Sequence, residues 1–324
     1  MYKKTLVALA VLAGCGAQAQ AQSAFPAKPV RLLVTSAPGS GGDALGRLLA
    51  ERMGQLLKGT VIVENKPGAG GMLAMDLLAR AAADGYTIGL GSNSTHILIP
   101  AMNAKLSYDP IKDFAPIGQV GGASTLLIAH PDFPANRLDE LLTLAKQSKE
   151  PVQYASWGNG SSGHFCGALL NYKMNAGLAH VPYKSVAQIQ TDVVGGHIQL
   201  AFVDMGSGTA MVKSGRAKAI ASCTERTPSL PEVGSYTDAD IQFSGQPAPT
   251  PRWTLYAPAA TPAPVVAQLG RVLQATLEMD DVKAWMANQG ISAGFIAGAR
   301  IREMNREDLA FWKNIATVSN ISAE

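Results

Sequence analysis

The sequence predicts an α/β protein of two lobes joined by a hinge, with a cleft between them. Short apolar strands alternate with amphipathic helices, which implies parallel or mixed sheets covered on both faces. The alternation restarts near Gly122 after a first complete run. Of the 324 residues, roughly three hundred follow an N-terminal leader, more than a single core ordinarily covers.

The leader comes first. Lys3 and Lys4 precede an apolar run over 5–13, the charged and apolar regions of an export signal, and the run is too short to span a bilayer. Two processing sites compete within 1–21. Leu12-Ala13-Gly14-Cys15 reads as a lipobox whose Cys15 would be acylated, and Ala19-Gln20-Ala21 fits a small-residue cleavage pattern. Either cut predicts a protein in the periplasm, soluble or lipid-anchored. Beyond the leader only Cys166 and Cys223 remain, in an oxidising compartment, free to bridge or to pack as small apolar groups.

The first run has a strand over 31–34, the turn-rich Ala37-Pro38-Gly39-Ser40-Gly41-Gly42, and a helix over 43–57 whose Leu45, Leu49, Met53 and Leu56 recur at helical spacing. Gly59 stops that helix. A strand over 61–63, a glycine-rich loop over 67–71, a helix over 72–83, the Asp84-Gly85 turn and a strand over 86–90 follow. The second run has a strand over 125–129, a helix over 138–148, a strand over 153–155, a loop over 156–163 and a helix through Leu169 and Leu170. Strands at 180–181, 198–203 and 217–222 come next, with a helix over 185–194 between the first two. Residues 224–251 carry Pro, Ser and Gly without periodicity and read as an irregular return to the first lobe. A strand over 253–257 and helices over 263–277, 281–289 and 300–317 complete the chain.

Charge narrows the partners. The formal balance is +3, from 27 basic and 24 acidic residues, and loss of Lys3 and Lys4 with an acid-free leader brings it to about +1. Such a balance argues against nucleic acid or a membrane surface, so any preference for anions must be local. The two glycine-rich loops supply it. Helix N-termini expose N–H donors and a partial positive charge, and glycines admit a ligand to the backbone. Residues 38–42 and 158–163, one before each lobe's helix, are therefore candidate anion cradles, although turn and cap chemistry alone would also place glycines and Asp43 there.

Enzyme motifs fit poorly. Gly39-x-Gly41-x-x-Ala44 with Glu64 after the next strand imitates a dinucleotide fingerprint, yet no hydride-transfer constellation accompanies it. No Gly-x-Ser-x-Gly elbow occurs, and Pro110 breaks the helix that a Tyr108/Lys112 pair would need. The five histidines lie apart without metal-ligand spacing. No catalytic residue, metal or cofactor is therefore expected. Ser161 and Ser162 suit hydrogen bonding to an anion, and His96 and His164, each after a polar loop, are candidate carboxylate donors.

Several ordered motifs carry a resemblance. Pro38-Gly39-Ser40-Gly41-Gly42-Asp43, Val63-Glu64-Asn65-Lys66-Pro67-Gly68-Ala69-Gly70-Gly71, Asp84-Gly85-Tyr86-Thr87, Tyr108-Asp109-Pro110-Ile111-Lys112-Asp113-Phe114 and His180-Val181-Pro182-Tyr183-Lys184 stand in the order seen in the Bug family. The chain resembles those extracytoplasmic solute receptors of tripartite tricarboxylate transporters over essentially its whole mature length. The resemblance implies a type II periplasmic-binding-protein fold, with 25–120 plus 250–324 as lobe one and 121–249 as lobe two. It also implies capture of a small carboxylate without chemistry, as a monomer, for the transporter's membrane components. The ligand carboxylate would lie between Pro38, Gly39, Ser40, Gly41, Gly42 and Asp43 on one side and Ser156, Asn159, Gly160, Ser161 and Ser162 on the other, partly through water. Ser92, Asn93, Ser94, Thr95 and His96 match a polar loop of the family's cleft. Asp204 matches a family acid, readable as a helix cap or as a ligand acceptor. Tyr183 is a further candidate, and Lys184 a counter-charge.

Two departures bear on specificity. Ser185-Val186 replaces the usual small pair after Lys184, and Pro251-Arg252 stands where relatives place an aromatic residue. Arg252 is a candidate clamp for a second carboxylate, or else a solvated hinge residue. Two other classes stay open: an exported enzyme acting on a carboxylated or phosphorylated molecule, and a module reporting its ligand to a sensor protein.

Overall fold

A computed structural model of the chain describes residues 25–102, 105–224, 226–227, 229–241, 250–318 and 321; the leader over 1–21 and Cys15 lie outside them.

Strand β1 (Val30–Val34) is apolar and buried apart from the exposed Arg31, as in a strand largely covered on both sides. It leads into α1 (Gly41–Leu57), which buries Leu45, Leu49 and Met53 and ends on Lys58 in the left-handed region. β2 (Val61–Asn65), α2 (Met72–Ala79) and β3 (Thr87–Ser92) follow. A π-helical turn (Ser94–Leu98) then runs into the short α3 (Ile99–Ala101). β4 (Phe114–Ala123) crosses the lobe, and β5 (Thr125–Ala129) enters the second one.

The second lobe continues with α4 (Leu138–Gln147), β6 (Val152–Ser156), α5 (Ser162–Met174), β7 (Leu178–Pro182), α6 (Val186–Val194), β8 (Leu200–Asp204), α7 (Met205–Lys213) and β9 (Lys218–Ser222). The chain returns through β10 (Arg252–Pro258), α8 (Ala263–Glu278), α9 (Asp280–Asn288), β11 (Ile291–Ala293) and α10 (Gly298–Val318).

Two sheets result. One has the order β11-β4-β10-β3-β1-β2, the other β7-β6-β8-β5-β9. β1, β2 and β3 pair in parallel, whereas the returning β10 lies antiparallel between β3 and β4. The second sheet pairs β6 in parallel with β7 and β8, and β5 antiparallel to β8 and β9. This is a two-lobed α/β periplasmic-binding-protein fold.

Hydrogen bonds tie the two passages between the sheets to each other. Ser124 Oγ lies 2.7 Å from Ser222 Oγ and 2.8 Å from Thr224 Oγ1. Ala123 N–H donates to Pro251 O at 2.9 Å. Each lobe has its own core, around Leu32, Leu45 and Leu255 in one and around Leu127, Tyr154 and Phe202 in the other. A further cluster joins the lobes: Phe165 of α5 meets Trp312 of α10 edge-on at 5.1 Å, with Ile97–Met102 packed around them. Cys166 of α5 and Cys223 after β9 form a disulfide, Cα atoms 6.0 Å apart, which settles the alternative the sequence left open. Among the described residues no helix is long and apolar enough to cross a membrane.

Candidate functional site

A cleft of about 470 Å³ opens between the lobes. Its walls are largely helix beginnings: Ser40–Gly42 opening α1, Gly70–Gly71 ahead of α2, Asn159–Ser162 leading into α5, Ser185 and Val186 opening α6, and Asp204 and Met205 opening α7. The first amides of a helix lack intrahelical acceptors, so each of these ends offers N–H donors and positive potential to the same space. The side-chain caps occupy only one donor each: Ser40 Oγ accepts from Asp43 N–H, and Ser161 Oγ from His164 N–H. Ser185 and Asp204 cap α6 and α7 alike, through Gln188 N–H and Ser207 N–H. Thr35 and Ser36, at the end of β1, continue the polar floor.

Of the residues singled out from the sequence, Ser40, Gly41, Gly42, Ser92, Asn93, Ser94, Asn159, Gly160, Ser161, Ser162, Lys184 and Asp204 line this cleft. Asn93 is also a strut, its amide donating to Thr250 O at 2.6 Å and its Oδ1 accepting from Arg252 N–H. Gly160, at φ +73°, sits where the lobes nearly touch: a Cβ there would lie 2.6 Å from Met102 Cε and 2.8 Å from Ile99 Cγ1.

The others stand behind it. Pro38 and Gly39 form the exposed shoulder of their loop. Asp43 is buried and faces inward: it accepts from Gly39 N–H (2.9 Å), Asn65 Nδ2 (2.9 Å) and Arg47 Nε (3.0 Å). Arg47, then the Gly39 and Asn65 donors, hold its carboxyl down at about 2. Thr95 folds back onto Ser92 N–H and O, and His96 is fully buried, its ring stacked on Tyr256 at 3.8 Å. Burial pushes that imidazole down to about 3, so it neither reaches the cleft nor carries charge at neutral pH.

Ser156 lies under the second loop, its Oγ 3.0 Å from Ser161 Oγ and 2.7 Å from His180 Nε2. His164 stacks on His180 at 3.9 Å, and its Nδ1 accepts from Gly160 N–H at 3.3 Å, which places the ring proton on Nε2. Burial pushes His164 down to about 4, and burial together with His164 pushes His180 to about 3. Tyr183 donates to Asp192 Oδ2 at 2.8 Å, and burial raises its phenol to about 12. Arg252 is not free to clamp a carboxylate in the cleft. It pairs at 2.5 Å with Asp308 of α10, whose carboxyl burial raises despite that partner.

Sequence reasoning missed other wall residues. Gly68, Gly70 and Gly71 follow the same loop-before-helix pattern as the two chosen loops and were legible by it. Trp157, Trp253, Gln289 and Ile291 carried no local signal, because only the packing of remote segments brings them to one space.

Residues 45–321 match the tripartite tricarboxylate transporter family receptor model. The chain belongs to that family. A UPF0065 protein of Bordetella pertussis is 32% identical over 269 residues, 82% of each chain. The structure of periplasmic binding protein BugD superposes with a TM-score of 0.79 at 29% identity, covering 93% of this receptor and 100% of BugD. MatC from Rhodopseudomonas palustris, with malate bound, gives 0.78 at 26% identity over 90% and 99% of the two chains. The protein is thus a solute receptor, not an enzyme.

Proposed function

We propose that this receptor works in the periplasm, where it captures a small carboxylate and presents it to the membrane components of a tripartite transporter as a monomer. One observation carries the reading: five helices of eight or more residues begin at a single interlobe cleft, among whose described lining residues Asp204 is the one acid. Each favourable helix end contributes about 0.3–2 kcal/mol toward an anion, so several together with water exclusion reach useful affinity. MatC's bound malate agrees with this chemistry.

On this reading Ser40–Gly42 and Asn159–Ser162 hold the carboxylate from opposite lobes, residues 25–120 with 250–324 and 121–249. The passages at Ser124 and near Pro251 act as the hinge. Ligand stabilises the closed form because only that form completes both loops, a shift of population between two states.

A thermal-shift and calorimetric screen of carboxylates tests it. At least one acid should raise the melting temperature by mass action, and Ser162→Ala should weaken its binding about tenfold with the fold intact. No shift from any organic acid at millimolar concentration would end the reading.

A further inference from the structure

Backbone N–H groups can fix one carboxylate, but the rest of a ligand must be read by side chains. Here those side chains are nearly uncharged. Among the described residues lining the cleft, Lys184 and Asp204 alone are ionisable, so their formal charges cancel. Lys184 is exposed at the rim, where one solvated ammonium is worth at most a few-fold in affinity. Arg252 and Arg47, cations behind the wall, are held by Asp308 and Asp43. Asp204 uses Oδ1 for Ser207 N–H and still presents a carboxylate to the cleft. A second ligand carboxylate within roughly 6 Å of it would be disfavoured about a hundredfold at an effective dielectric of about 20.

The remaining wall is neutral, with serines, Thr35, Asn93, Asn159 and Gln289 beside an apolar set. Trp157, just after β6 in one lobe, and Trp253, on β10 in the other, are both half-buried and both line the cleft. Trp157 lies against the beginning of α5, since a Cβ on Gly163 would sit 3.0 Å from its six-membered ring. Trp253 pairs in register with Ser92. Ile99, Val186, Met205 and Ile291 fill in around them. Partly exposed indoles in an enclosed site favour offset or edge-on contact with a flat ring.

We propose that the ligand is an aromatic monocarboxylate, its carboxylate at the α1 and α5 N-termini and its ring against Trp157 and Trp253. The proposal rests on the carboxylate reading above and narrows it.

Calorimetry on the mature protein with benzoate, phenylacetate, succinate and citrate decides it, with tryptophan emission followed in parallel. An aromatic acid should bind at least tenfold more tightly than succinate or citrate and perturb tryptophan emission. Trp253→Leu should weaken that binding about tenfold. Trp157→Leu should do likewise, and since Trp157 also packs on both cores of its lobe, Trp157→Phe provides a folded variant with smaller loss. Asp204→Asn should raise succinate affinity relative to benzoate by tenfold or more. Tighter binding of succinate or citrate than of either aromatic acid overturns the proposal and leaves the carboxylate reading standing. Aromatic binding indifferent to both tryptophan substitutions overturns it too. Failure of all four acids to bind overturns it as well, and the wider carboxylate screen then decides whether the carboxylate reading stands.

Discussion

The loop ahead of α1 is held in shape by ions, whereas the loop ahead of α5 is held by neutral, mostly buried groups. In the first, the Asp43 carboxylate gathers Gly39 N–H, Asn65 and Arg47. In the second, Ser156, Ser161, His164 and His180 share hydrogen bonds and a ring stack, and a disulfide lies two residues beyond His164. Both present the same product, a helix N-terminus facing the cleft. Equivalent backbone geometry therefore has two independent chemical supports, and each should fail under different conditions.

Acid should expose that difference most strongly. Unfolded histidine takes a proton near 6.5, while folded His164 and His180 resist until about 4 and about 3. Their contribution, joined by that of His96 buried in the other lobe and held at about 3, is complete above pH 6.5 and is lost as pH falls toward 4, a loss of order several kcal/mol. Asp43 has the same sign in a lower window: its contribution is present above 3.8 and disappears only as pH falls toward about 2. Urea midpoints measured from pH 7 to pH 4 should decline in parallel for the wild type and Asp43→Asn. A decline absent from the wild type over that range would mean the histidines are not buried neutral.

Removing the disulfide comes next. Cys166 and Cys223 are 57 residues apart, which in the chain-entropy model is worth about 4 kcal/mol. The double alanine variant should lose about that much, with amide exchange rising first in α5 and β9 and α1 little changed. Smallest is Asp43→Ala, which strands the Asn65 and Gly39 donors and should cost about 2 kcal/mol, read as a lower urea midpoint at unchanged slope. Exchange should then rise around 37–43 and leave α5 protected.

Regular elements were legible where the pattern was local. The spacing of Leu45, Leu49 and Met53 announced α1, and the 125–129 strand was read to the residue. β4 escaped because Phe114–Ala123 contains Pro116 and three glycines, yet two partner strands hold it in the sheet. β11 has three residues, too few for any periodicity, and α7 was hidden by Gly206 and Gly208, although its Asp204 cap was noticed. Gly208 is there for room, since a Cβ would lie 2.8 Å from Leu126 Cδ2.

At the site the glycine-flanked helix starts singled out in the sequence line the cleft, and that signal is contiguous in the chain. Which polar side chains turn inward was not legible. Asp43, His96, Ser156 and His164 neighbour the cleft in sequence, but their hydrogen bonds and ring stacks point into the lobes. The indoles of Trp157 and Trp253 arrive from opposite directions, and nothing in either segment names the other.

Gly160 has a mechanical consequence. With a hydrogen where other residues carry a β-carbon, it lets the α5 loop come down onto Ile99 and Met102. A methyl group there would act as a doorstop, stopping the jaws a little short of their seat and favouring the gaping stance. The width of the bite is thus set by an atom that is missing.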